Sequence, residues 1–137
     1  MLRFFYIDID GNEVTKYFSF EDSLILTSTA LTDKESPYFI EALEDSVLIT
    51  VDYRSFTELT KSNAFWLETV KNEYEKALIY KEERERSFLL ENATERYKGF
   101  IRDFPGIEKR VKLKYIASYL GISPVSLSRI RAKINIC

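Results

Sequence analysis

The chain has 137 residues, with 20 Lys and Arg against 22 Asp and Glu, no histidine, and one cysteine as its last residue. That excludes histidine acid–base catalysis, the usual histidine metal sites, an iron–sulfur cluster and an intrachain disulfide. The net charge of −2 hides an asymmetry: from Arg96 onward ten basic residues face two acids, a net of +8, and residues 1–95 carry −10. An acidic front and a basic back suit a chain whose back end meets phosphates. No apolar run reaches membrane-spanning length and the N-terminus lacks a signal-peptide layout, so a cytoplasmic protein with no membrane partner is expected.

The first segment, Leu2–Ile9, is rich in strand formers. Asp10-Gly11 is a two-residue hairpin signal, and Glu13–Phe18 returns. Phe4, Phe5, Tyr6, Tyr17, Phe18 and Phe20 read as core and cross-strand residues. A short helical turn is expected around Ser23–Leu31 and a loop through Thr32–Ser36. Strands at Tyr38–Leu43 and Val47–Val51 follow, separated by a turn at Glu44-Asp45-Ser46. Tyr53–Thr60 predicts a short helix.

Residues 63–91 contain neither Gly nor Pro and predict one long helix. Leu67, Val70, Tyr74, Ala77, Lys81, Arg84 and Phe88 recur at spacings of three and four, a coiled-coil seam interrupted by two cations. Leu67, Val70, Tyr74, Ala77 and Phe88 are the expected dimer contacts. Asn92 and Glu95 then form a capping-box start. Tyr97, Phe100, Ile101 and Phe104 give an i, i+3, i+4, i+7 stripe that Pro105-Gly106 ends. This stripe should pack on Ile116, Leu120 and Leu127. A hinge is expected near Glu91–Thr94.

The most informative stretch is Leu113–Ile134. Ile116, Ala117 and Leu120 form the inner face of a first helix. Gly121 supplies a tight turn, Ile122 plugs the corner, Ser123 is a good N-cap and Pro124 suits the first helical position. Leu127, Ile130 and Ile134 form the buried stripe of a second helix. Its opposite face holds Val125, Arg129 and Ala132, flanked by Ser126, Ser128 and Lys133, and no acid occurs from Lys109 to the end. Arg can reach guanine O6 and N7, Ser can bond bases or phosphates, and Val can touch a thymine methyl. Val125, Ser126, Ser128 and Arg129 are therefore candidate base readers. Lys112, Lys114, Arg131 and Lys133 are candidate phosphate contacts.

The run "RVKLKYIASYLGISPVSLSRIRAKI", preceded by "ERYKGFIRDFPGIEK", resembles the C-terminal part of the Crp/Fnr family of bacterial transcription regulators. The likeness over Glu95–Arg131 is close; Leu2–Leu90 resembles the family's sensor roll and dimer helix more loosely. The resemblance implies an α+β chain: a partial antiparallel β-roll of the cupin-like sensor kind over 1–62, a dimerisation helix over 63–91 and a helix-turn-helix DNA-binding domain over 92–137. It implies double-stranded DNA and a second copy as partners. Cyclic-nucleotide binding is not carried over. Where relatives place a Gly-Glu pair and an Arg for the phosphate, this chain has Glu21-Asp22 and Ser36-Pro37. A small-molecule effector of unassigned chemistry stays open, and no cofactor or metal is expected. The chain opens inside the family's roll, as an internal start, a truncated relative, or a subunit whose missing strands a partner supplies. It ends at Cys137, so the family's wing hairpin is expected to be absent or supplied elsewhere. The alternative is a non-enzymatic interaction module that pairs with a full-length relative and modulates it. No nucleophile–base pair or Gly-rich phosphate loop supports an enzyme.

Overall fold

The structure, a computed structural model, describes residues 1–27, 29–32 and 34–134. It is an α+β fold with one three-stranded antiparallel sheet in the order β2-β1-β3. The strands are β1 (Leu2–Ile7), β2 (Glu13–Ser19) and β3 (Phe39–Ala42). The helices are α1 (Thr29–Thr32), α2 (Tyr53–Ser62), α3 (Ala64–Leu90), α4 (Ala93–Asp103), α5 (Leu113–Leu120) and α6 (Pro124–Ile134), with a 3-10 turn at Ile107–Lys109. No helix among the described residues is long and apolar enough to cross a membrane.

The first hairpin forms, but with a longer loop than Asp10-Gly11 alone suggests. Asp8 organises five residues. Its carboxylate accepts the backbone N–H groups of Asp10 and Asn12 at 3.0 and 2.8 Å, and Gly11 takes a φ of +82°. A register shift between Phe4 and Phe5 bulges β2 at Lys16, since Phe4 pairs with Tyr17 and Phe5 with Thr15. The helical turn is confined to α1, and Ser23–Thr27 is not helical.

The expected strand at Val47–Val51 does not form. The segment runs outside the sheet, with Val47 98% and Ile49 93% exposed. A strand needs a neighbour's N–H and C=O groups as well as β-forming side chains. Leu43 still donates to the Met1 carbonyl at 3.1 Å. Ser46 then folds its hydroxyl back on the Glu44 carbonyl at 2.8 Å, and the chain leaves the sheet.

The helices start and stop where side chains cap them. Asp52 and Asn63 accept backbone N–H groups at the starts of α2 and α3. Asn92 and Glu95 form a reciprocal capping box on α4. Gly106 and Gly121 take left-handed φ values of +81° and +68°.

One hydrophobic core joins the two ends of the chain. Met1 and Phe18 from the sheet share it with Tyr97 and Phe100 of α4, Ile107, Val111, Ile116 and Leu120 of α5 and the segment before it, and Leu127 of α6. The α4 stripe therefore lies against the residues it was expected to meet. Helices α2 and α3 lie outside this core: α2 buries no residue and α3 buries only Val70.

Candidate functional site

Helices α5 and α6 are joined by Gly121, Ile122 and Ser123. Position 121 ends α5 because its αL conformation turns the chain back, and its N–H donates to the carbonyls of Ala117 and Ser118. Ile122 fills the corner against the core. The Ser123 hydroxyl accepts the Ser126 backbone N–H at 3.1 Å, which starts α6. Ala117 and Leu127 are fully buried, so the two helices pack closely at a small residue.

Leu127 turns inward with Ile130 and Ile134, and the opposite face of α6 is bare. Val125, Ser128, Arg129 and Ala132 are exposed. Ser126 differs: it is half-buried and its hydroxyl lies 2.9 Å from that of Ser123, so it belongs first to the helix cap. Lys112 and Lys114 are exposed at the start of α5, and Lys114 leans over the Tyr115 ring at 4.8 Å. Lys133 is exposed on the last turn of α6. Arg131 is held inside the chain. It forms an ion pair with Glu108 at 2.8 Å, and Glu108 also accepts the Tyr97 hydroxyl at 2.7 Å. Burial, reinforced by that bond to Glu108, pushes the Tyr97 phenol up. Among the cations behind position 95, Arg96, Arg102, Arg110 and Arg131 bond within the protein.

The sheet grips α5 from the other side. The Thr15 N–H donates to the Ser118 hydroxyl at 2.8 Å, and that hydroxyl donates to the Glu13 carbonyl at 3.1 Å. Arg3 lies fully buried at the joint, its guanidinium 3.7 Å from the Tyr115 ring centroid and paired with Glu13 and Glu41. Arg110 forms a second clasp with Glu21 and Glu44. Its guanidinium hydrogen bonds hold the Glu21 carboxyl at about 2, and hold Glu44 below the usual carboxylate range. The Arg3 and Ser118 contacts were not foreseen. In the sequence Arg3 is marked only as an arginine set between apolar neighbours.

The expected dimer contacts divide. Leu67, Tyr74 and Ala77 are exposed on one face of α3, with Leu78 beside them. Val70 is buried within its own chain. Phe88 packs on Gly121: a Cβ built there would lie 2.8 Å from its ring. Between Tyr74, Trp66, Leu24 and the exposed Val47–Val51 segment lies an open, largely apolar cleft of about 960 Å³. The chain matches no known protein family, and no curated protein matches it.

Proposed function

We propose that the chain is a sequence-specific DNA-binding transcription regulator of the Crp/Fnr type, acting as a homodimer, with α6 in the major groove. One observation carries this reading: the exposed face of α6 presents Val125, Ser128 and Arg129, while Leu127 and Ile130 anchor the helix from behind. A helix held from one side and free of carboxylates on the other fits the groove in width and charge. Val125, Ser128 and Arg129 read bases; Ser126 first caps the helix and turns a half-buried edge to the DNA. Lys112, Lys114 and Lys133 meet phosphates, and Arg131 joins them only by leaving Glu108. The Leu67, Tyr74 and Leu78 face of α3 forms the dimer seam, and two copies of α6 enter successive grooves about one helical turn apart. The sheet with its flanking segments belongs to a sensor roll.

A gel shift with the purified protein and a random duplex pool tests it. Salt-dependent retention with an enriched palindromic consensus supports the reading; retention of no sequence over another sinks it. Calorimetry with cyclic AMP and cyclic GMP should show no heat of binding, because Glu21 and Glu44 stand at the sheet end with Arg110 already spent on them. A micromolar dissociation constant would refute that part.

The exposed Val47–Val51 segment favours a second reading, an interaction module that completes its sheet on a larger relative. A protein that shifts no DNA alone but does so when mixed with such a relative would favour it.

A further inference from the structure

Three turns at the C-terminal end of α3 converge on one spot, the last turn of α5 and the glycine after it. Phe88 lies on Gly121, close enough that no side chain fits between them. Two guanidiniums flank its ring, Arg84 at 4.8 Å and Arg96 at 4.9 Å from the centroid. Each also donates to a carbonyl at the end of α5. Arg84 reaches Tyr119 O at 2.8 Å, and Arg96 reaches Leu120 O at 3.2 Å. Arg96 closes the loop through Glu91 O at 2.6 Å. The Tyr80 and Tyr119 hydroxyls meet at 2.9 Å, and Arg84 covers the Tyr119 ring at 3.9 Å. Cations at the negative end of a helix that lacks its own basic cap are well placed; α5 has no basic residue in its last turn. The aromatic wedge fixes position, and the two forks fix angle.

We propose that Phe88, Arg84 and Arg96 form a joint that sets the angle between α3 and the α5–α6 pair, and through it the half-site spacing that the protein accepts. The spacing half of this statement rests on the DNA reading above. Phe88, Arg84 and Arg96 are positioning residues: they touch the turn, and the turn aims α6. The lever arm makes the joint decisive. From Phe88 to Tyr74 in the exposed stripe is 14 residues, about 21 Å of helix at 1.5 Å per residue. A slack of about 10° at the joint displaces α6 relative to the stripe by about 4 Å, which exceeds the base-pair rise of about 3.4 Å. A loose joint therefore cannot hold a dimer to one spacing. The wedge also explains why position 121 holds glycine twice over, for its backbone angle and for the ring against it.

The test has two arms. In the first, the full chain with Cys137→Ser carries nitroxides at Glu75→Cys and Ala132→Cys, diluted with unlabelled protein so that distances within one chain are read. The unperturbed joint should give a narrow distribution. Phe88→Ala and Arg84→Gln should each broaden it at unchanged helix content, and Phe88→Tyr, which keeps the ring, should restore it. A narrow distribution in both Phe88→Ala and Arg84→Gln would overturn the joint. In the second arm, unlabelled protein binds palindromes of its selected half-site with the spacing stepped one base pair at a time. The wild type should prefer one spacing by about tenfold. Phe88→Ala should lose that preference while selecting the same half-site. A kept preference would overturn the spacing role. Failure of the wild type to bind any duplex would overturn the DNA reading instead, and the nitroxide distances would still decide the joint.

Discussion

At the scale of single residues, Arg129 and Gly121 carry opposite kinds of consequence. Arg129 is exposed, so its loss touches recognition and leaves the fold alone. If it reads a guanine edge, Arg129→Ala should weaken cognate binding by about 1–3 kcal/mol and relax selectivity at one base pair per half-site. Lys114→Ala should instead weaken every sequence alike and reduce the salt slope by about one. Selection from a random pool, run for wild type and both variants, separates the two; an unchanged Arg129→Ala consensus at equal affinity removes Arg129 as a reader. Gly121 is the reverse case. At φ +68° a side chain is strained, and Phe88 stands where its Cβ would go. Gly121→Ala should cost about 1–2 kcal/mol from the backbone alone, with the clash on top. In a Phe88→Ala background only the backbone part should remain. Urea unfolding of the four proteins measures this, and strictly additive losses would show that ring and glycine do not interact.

At the scale of elements, α3 is a long helix that the molecule buries very little. It has 27 residues and one of them is buried. Leu67, Tyr74 and Leu78 line one exposed face, and a long helix gains stability chiefly from what packs on it. Leu67→Asp with Tyr74→Asp should convert dimer to monomer in analytical ultracentrifugation and spare the fold, since both side chains are exposed in the single chain. A dimer that survives would place the contact elsewhere. Val70 would be a poorer probe, because it is buried within its own chain and a carboxylate there would also destabilise the monomer. The same contrast explains what could be read in advance. Helix ends were legible because their signals are local: the Asn92–Glu95 box, Ser123 before Pro124, Gly121 at the turn. So were the stripes of α4 and α6, whose period is fixed by helix geometry. Val47–Val51 was misread because β-forming side chains say nothing about whether a neighbouring strand exists. Arg84 and Phe88 satisfied a seam spacing, yet their partners lie on α5 and in the turn after it, more than 30 residues away in sequence. Spacing within one helix cannot reveal such a partner.

At the scale of the whole molecule, the acidic front and the basic back are pinned together rather than merely opposed. Arg110 bonds Glu21 and Glu44 across the boundary. A carboxyl whose pKa is lower in the folded state contributes stability above its unfolded value, near 4.5, and loses that contribution as pH falls through the folded value. For Glu21 the window runs from about 4.5 down to about 2, and Glu44 moves in the same direction. Arg110→Gln should therefore melt lower than wild type at pH 7, and the gap should narrow steadily as pH drops below 4.5. Circular dichroism melts across that range check the sign. A gap independent of pH would mean that Arg110 acts through packing instead of charge.

The hydrogen bond from Thr15 to Ser118 closes a loop of 103 residues, and that distance along the chain has a kinetic meaning. Contacts this remote in sequence form late, because the entropy of closing the loop precedes any return from the contact. During synthesis the hairpin leaves the ribosome long before α5 exists to cover Phe18. Its aromatic side chains then wait, uncovered, through the making of about a hundred further residues, a span of about 5–20 seconds at ordinary translation rates. Slow codons between α3 and α5 should thus lower soluble yield, and faster ones should raise it. The interval between the two halves of the core, as much as the core itself, sets how much of this protein reaches its folded state.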